Sequence, residues 1–178
     1  MRLLPLLLLL ISAYANAANL SQQQIDNWFE ASKMLKPIVE KIEEENTLEE
    51  VENPSELAEQ MVLQLNQSAH INEVKQVLDK YNLNLESWAA TTEQVIFAIL
   101  AVNLEEYKPQ LEVYENMKQQ LLDNPELTAE QKQQLLDSFE IGDQWFTQLK
   151  SVPQSDIDLI APQVSKISQE LGWEFDTN

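Results

Sequence analysis

Apolar residues recur at intervals of three and four positions along almost the whole chain, which is the spacing of one face of an α-helix. No run alternates between apolar and polar positions in the way a half-buried strand would. The pattern predicts an all-α protein. Its helices are expected over roughly 21–45, 54–67, 71–82, 85–123, 128–150 and 156–171. Short connections between these segments favour a single-domain antiparallel bundle of about five or six helices.

Residues that cap helices mark several of the expected boundaries. Ser21, Thr91 and Thr128 each precede a glutamine by three positions, the spacing of a capping box, although Thr91 also fits inside the fourth helix. Gly172 suits the left-handed cap at the end of the last helix. Prolines lie inside three apolar stripes, and we expect each to kink its helix or split it in two. They are Pro37, Pro109 and Pro162.

The first 17 residues have the features of a cleavable secretory signal peptide. Arg2 supplies a positive charge, Leu3–Ile11 is an apolar run, and small residues with A-x-A spacing end at Ala17. The run is shorter than the roughly 20 apolar residues of a membrane-spanning helix. We therefore predict cleavage after Ala17 and one helical domain over residues 18–178 without a membrane span. The protein is then exported to the bacterial periplasm or secreted.

The charge of the chain is strongly unbalanced. Among 178 residues, 30 are Asp or Glu and 11 are Lys or Arg, so the formal net charge is −19. Such an excess repels nucleic acids and anionic membrane surfaces. It favours a basic protein or peptide partner whose binding weakens as salt is added. The protein itself is expected to be a monomer or a homodimer.

Several kinds of chemistry lack the residues they need. The chain has no cysteine, its only histidine is His70, and its only arginine is Arg2 in the expected leader. These absences exclude a catalytic thiol, a metal site with two histidines, and a Ser-His-Asp triad with a helper histidine. We predict no catalytic residues, no cofactor and no metal site, and we interpret His70 as an exposed turn residue. A hydrolase that uses two carboxylates stays as an alternative, because acidic residues are abundant.

An acidic segment follows the first predicted helix. From Glu40 to Glu59 the sequence has nine glutamates and one lysine. We expect an acidic linker at about 43–53 that is exposed to solvent and faces a partner. A Ca²⁺-linked structural protein is the alternative, because hard cations bind clustered carboxylates, although the segment has no EF-hand spacing. The candidate residues are Glu43, Glu44, Glu45, Glu49, Glu50 and Glu52.

Four tryptophans lie on separate apolar stripes. Trp28, Trp88 and Trp145 have the spacing of core residues, and Trp173 is the one that we expect to be exposed, because it lies near the end of the chain. The alternative is a groove between helices that takes a partner helix or an apolar ligand.

Two short patterns resemble those of known families. Leu127–Gln131, and less fully Leu20–Gln24, resemble the LTxxQ motif of the small helical periplasmic stress chaperones, which implies a holdase. The leader, the Leu83–Ala90 entry into a long helix and the Val152-Pro153 step are similar in layout to the quorum-sensing-regulated virulence factor family. That second resemblance implies an exported all-helical protein and transfers no biochemical activity.

These features together predict an exported, non-catalytic module that binds a protein or acts as an effector. A periplasmic holdase-type chaperone is the first alternative. The Ca²⁺-linked structural protein and the carboxylate hydrolase follow it.

Overall fold

The computed structural model describes residues 19–45 and 56–173, and every regular element in these ranges is helical. The α-helices are α1 (Gln22–Glu45), α2 (Leu57–Gln67), α3 (Ile71–Asp79), α4 (Leu85–Val102), α5 (Leu104–Asp123), α6 (Ala129–Asp137), α7 (Glu140–Ser151), α8 (Gln154–Ile160) and α9 (Val164–Leu171). A short 3-10 helix, Ala161–Gln163, joins α8 to α9. The prediction of an all-α chain is confirmed for the described residues, and the expected leader, residues 1–17, lies outside them.

The prediction of a single long helix over 85–123 is wrong, because the chain forms two helices there. The break is at Asn103, whose backbone N–H donates to the Leu100 carbonyl at 3.2 Å and so tightens the last turn of α4. Pro109 lies inside α5, and Pro37 lies inside α1, and both helices continue through their prolines. Neither proline splits its helix, and the expected kinks stay a prediction.

The last two expected helices are also divided. The segment 128–150 forms α6 and α7, which are separated by a turn where the Phe139 N–H donates to the Leu136 carbonyl at 2.9 Å. The segment expected over 156–171 begins earlier, at Gln154, and forms α8 and α9. Pro162 lies in the 3-10 helix between them.

The capping boxes behave differently from one another. Thr128 and Gln131 form the complete reciprocal pair, with bonds of 3.2 Å and 3.0 Å. Ser21 accepts the Gln24 N–H at 3.2 Å, but the Gln24 side chain donates to Thr91 Oγ1 at 2.9 Å instead of bonding back to Ser21. Thr91 itself lies inside α4, as its second interpretation predicts.

The hydrophobic core lies between α1, α2, α3, α4, α8 and α9, with α4 at its centre. Helix α4 is buried on most of its circumference, and Ala89 and Ala98 allow its neighbours to approach closely because both are small and fully buried. The largest core side chains with almost no exposed surface are Ile25, Trp28, Leu35, Ile42, Leu78, Ile99, Ile160 and Ile167.

A buried hydroxyl network joins α1 to α4 within this core. The Trp28 indole N–H donates to Thr92 Oγ1 at 2.8 Å, and the Thr92 hydroxyl donates to the Trp88 carbonyl at 2.9 Å. The Trp88 indole N–H in turn donates to Ser32 Oγ at 2.9 Å. Both indole donors are therefore satisfied, which a buried tryptophan requires.

Helices α5, α6 and α7 form a peripheral unit, residues 104–151, which we call the α5–α7 unit. None of its described side chains is fully buried, and none belongs to the core cluster. It is attached to α4 by packing between Phe97 and Trp145, whose ring centroids lie 5.4 Å apart. In the described part of the chain, no helix is long and apolar enough to cross a membrane.

Candidate functional site

The acidic candidates lie at and beyond the end of α1. Glu43, Glu44 and Glu45 form the last turn of this helix, so the expected linker 43–53 is helical in its first three residues. The carboxylates of Glu44 and Glu45 are exposed. Glutamates at a helix C-terminus lie at the negative end of the helix dipole, which favours a cation beside them.

The remaining acidic candidates, Glu49, Glu50 and Glu52, lie outside the described residues. Within 19–45 and 56–173, no group of three His, Asp or Glu side chains is placed to hold a metal ion.

His70 connects the acidic end of α1 to the start of α3. Its Nδ1 lies 2.9 Å from Glu73 Oε1, and its Nε2 lies 3.3 Å from Glu45 Oε2. An imidazolium donates from both nitrogens, whereas a neutral ring donates from only one. The hydrogen bonds to Glu73 and then Glu45 raise the pKa of His70, and the bond from His70 lowers the pKa of Glu73. His70 lies in the turn before α3, as expected, but its side chain is only 18% exposed and pairs α1 with α3, so the expectation of an exposed residue is wrong.

We expect the stabilising effect of His70 to depend on pH. Its pKa is raised on folding, so its contribution is complete below the ordinary value of 6.5 and is lost as pH rises through the folded pKa. Glu73 has a lowered pKa, so its contribution is present above 4.5 and is lost in acid. The His70→Gln variant should therefore have a lower Tm than the unaltered protein at about pH 5.5 and a similar Tm at about pH 8.5. An equal Tm difference at both pH values would contradict the pairing.

The tryptophans occupy three kinds of position. Trp28 and Trp88 are core residues, as predicted, with 0% and 6% of their surface exposed. Trp145 is half-buried in α7. Trp173, the residue expected to be exposed, is half-buried and packs against the core, with its ring centroid 5.8 Å from that of Trp28. Gly172 directs it there, because its φ of 75° forms the left-handed cap that ends α9.

An aromatic groove of about 530 Å³ lies between α1, α2, α4 and the end of α9. Trp88 and Trp173 line it together with apolar side chains, and Lys36 and Glu40 are its charged members. Its volume falls within the range of about 300–1,000 Å³ that is typical of small-molecule sites. The use of an aromatic groove by a partner helix or an apolar ligand, the alternative that the sequence left open, stays a prediction.

Tyr114 organises the interior of the α5–α7 unit. Its hydroxyl donates to the Phe139 carbonyl at 2.7 Å and lies 3.1 Å from Asp143 Oδ1. Its ring packs edge-on against Phe139 and Phe146, with centroids 5.2 Å and 5.0 Å away. Lys118 Nζ pairs with Asp143 Oδ2 at 2.6 Å. Burial, followed by the bond to Asp143, raises the pKa of Tyr114 to about 12, so the hydroxyl stays protonated at neutral pH.

Gly142 leaves room for this tyrosine. A Cβ at position 142 would lie 2.5 Å from Tyr114 Oη and 3.0 Å from its Cζ. We expect Gly142→Ala to lower the free energy of unfolding by about 1–2 kcal/mol, because the ring is held between two phenylalanines and cannot move away freely. Urea denaturation measures this loss of stability. The loss should be smaller when Gly142→Ala is made in the Tyr114→Phe variant. An equal loss with tyrosine and with phenylalanine at position 114 would rule out this contact as the cause.

The α5–α7 unit also presents most of the exposed large apolar side chains in the described residues. Seven such side chains are exposed, and five of them lie in this unit, whereas Met34 and Leu63 lie on α1 and α2. The five are Val113, Met117, Leu122, Leu135 and Ile141. Met117 and Leu135 are 53% and 42% exposed, so their apolar helical spacing does not bury them. The sequence had not suggested these five side chains as surface candidates.

No protein-family model, curated protein or solved structure matches this chain. The resemblances to the periplasmic stress chaperones and to the quorum-sensing-regulated virulence factor family therefore stay predictions. The candidate surfaces depend on the geometry of this chain alone.

Proposed function

We propose that this protein is a non-catalytic binding module that holds a basic, amphipathic protein segment against the α5–α7 unit. The observation that carries the proposal is the concentration of exposed apolar side chains on a unit without a buried residue among those described. Exposed apolar surface that is grouped on one part of a protein is typical of interaction sites. A bound partner would bury the apolar side chains that the fold of this unit leaves exposed.

The charge of the unit supports a basic partner. Between residues 104 and 151 the sequence has ten acidic residues and four lysines. The whole chain is acidic too, with a formal charge of −19, so a second copy would be repelled and a cationic segment attracted. The acidic end of α1, with Glu44 and Glu45 exposed, adds to the attraction at long range.

The location of the protein is proposed from its sequence. We infer one helical domain that is exported through a cleaved leader and meets its partner in the periplasm or in the medium. N-terminal sequencing of the exported protein should give Ala18 as the first residue.

A designed peptide tests the proposed surface directly. The probe is a labelled helix of about 18 residues, with leucines on one face and lysines on the other, titrated with the purified protein in about 50 mM NaCl. We expect saturable binding that weakens at least tenfold in about 500 mM NaCl, because added salt screens charges. The double variant Val113→Gln, Met117→Gln should also bind at least tenfold more weakly.

Two controls make this test specific. Leu63→Gln removes an equally exposed apolar side chain from α2, where 50% of its surface is accessible, and should leave binding unchanged. A peptide with glutamine in place of every lysine should not bind. If the double variant binds as tightly as the unaltered protein, the partner does not contact α5.

A holdase-type chaperone is the second candidate, because the same exposed apolar side chains would hold unfolded clients. A chaperone would slow the aggregation of an uncharged, chemically denatured client at an equimolar ratio. A binding module for basic segments would leave that client unaffected, and this outcome would eliminate the chaperone.

A further inference from the structure

We infer that a cavity between α4, α7 and α8 binds an alkylammonium group, the chemistry that a lysine side chain shares with a free aliphatic amine. This carboxylate cavity has a volume of about 280 Å³. Its walls combine apolar side chains, among them Phe97, Val152 and Pro153, with the carboxylates of Glu93 and Asp156. The inference does not depend on the proposed function.

Asp156 is a buried carboxylate with acceptor capacity to spare. Only 3% of its surface is exposed. Its Oδ1 accepts the backbone N–H of Leu20 at 3.0 Å and lies 3.3 Å from Ser155 Oγ. Its Oδ2 has no hydrogen-bond partner among the residues that the structure describes. A carboxylate oxygen on a buried side chain gains free energy from a cationic donor placed beside it.

Glu93 is the second carboxylate, and it is half-buried. Its Oε2 accepts the Ala58 N–H at 3.1 Å, which satisfies a free donor in the first turn of α2. Burial raises the pKa of Glu93, the bond from Ala58 lowers it, and no cation among the described residues acts on it. A cation in the cavity would offset the hydration that the Glu93 carboxylate loses on burial.

The lining selects the kind of ligand. No lysine lines the cavity, so its two carboxylates face a cation without a competing positive charge. Its volume is slightly below the usual range for small-molecule sites, so one short alkyl chain fits and a secondary-structure element does not. The apolar wall suits methylene groups. A hydrated metal ion would gain nothing from that wall.

The test uses n-butylammonium chloride as the probe and 1-butanol as its uncharged match. Binding is followed by NMR shifts of the purified protein and by its tryptophan fluorescence, because Trp145 lies next to Phe97. We expect saturable binding of butylammonium in the millimolar range or tighter and at least tenfold weaker binding of butanol. Glu93→Gln should weaken butylammonium binding at least tenfold, since the amide oxygen still accepts from Ala58 but carries no charge.

Two further arms complete the experiment. Glu86→Gln removes an exposed carboxylate from the same helix and should leave binding unchanged. Thermal melting confirms that each variant is folded, and Asp156→Asn, if folded, should also bind at least tenfold more weakly. Comparing 1,5-diaminopentane with an Nα-acetyl-lysine amide distinguishes a free amine from a lysine side chain as the natural source. Equal binding of butanol and butylammonium, or unchanged binding by Glu93→Gln, would overturn the inference.

Discussion

Replacing Trp28 with alanine is expected to lower the free energy of unfolding by about 3–5 kcal/mol, because it removes a large aromatic ring from the interior of the core. The side chain has no exposed surface, and its ring packs against those of Phe29 and Trp173. The substitution leaves a cavity between α1 and α4 and removes the indole donor to Thr92. Urea denaturation monitored by circular dichroism measures the loss.

Trp145 provides the matched control for this prediction. It is the same residue type, but it is half-buried and lies in the α5–α7 unit, outside the core cluster. Trp145→Ala should cost less than half of what Trp28→Ala costs, because less apolar surface is lost from a packed environment. If the two substitutions cost the same, the α5–α7 unit belongs to the core and its peripheral role is wrong.

Replacing Thr92 with valine is expected to cost about 2–3 kcal/mol, although the two side chains have nearly the same shape. Valine cannot accept the Trp28 indole N–H or donate to the Trp88 carbonyl, so a buried donor is left without a partner. Thr92 has only 2% of its surface exposed, and water cannot easily replace the hydroxyl.

Two variants isolate the hydroxyl as the cause. Thr92→Ser keeps the oxygen and should recover more than half of the loss, after allowance for the missing methyl group. In the Trp28→Phe background, which has no indole donor, Thr92→Val should cost clearly less than in the unaltered protein. Equal costs in both backgrounds would show that the hydrogen bond from Trp28 to Thr92 does not contribute to stability.

The periodicity of the sequence predicted the helices well and their breaks poorly. It located the start of α1 and the end of α9, because caps at Ser21 and Gly172 coincide with the ends of apolar stripes. It missed the break at Asn103, since an apolar stripe continues across it and only the backbone bond to Leu100 marks the turn. Pro109 was the expected place for a break in this region, but α5 continues through it.

The start of α4 at Leu85 was predicted correctly, but its cap was missed for a local reason. Asn84 caps α4, accepting the Ser87 N–H at 2.7 Å, while Ser87 Oγ accepts the Asn84 N–H at 3.0 Å. The pair uses serine where a capping box normally has glutamate or glutamine, so a search for the usual residues does not find it.

The candidate sites were less accessible to sequence reasoning. A stripe shows that Met117 shares a face with other apolar residues, but it cannot show whether another helix covers that face. Glu93 was one acidic residue among 30, and its role appears only when α2 lies against α4 and the Ala58 N–H meets its carboxylate. Contacts between residues so far apart in sequence depend on the tertiary fold.

Hydrogen exchange of the purified protein, with and without the lysine–leucine peptide, tests most directly whether α5–α7 is a binding unit. In the free protein we predict faster amide exchange in α5–α7 than in the buried helix α4, because the unit has few buried contacts. With the peptide bound, protection should increase in α5, near Val113 and Met117, and stay unchanged in α2 near Leu63. Uniform exchange in the free protein, with no added protection in α5–α7 on binding, would contradict the proposed role of this unit.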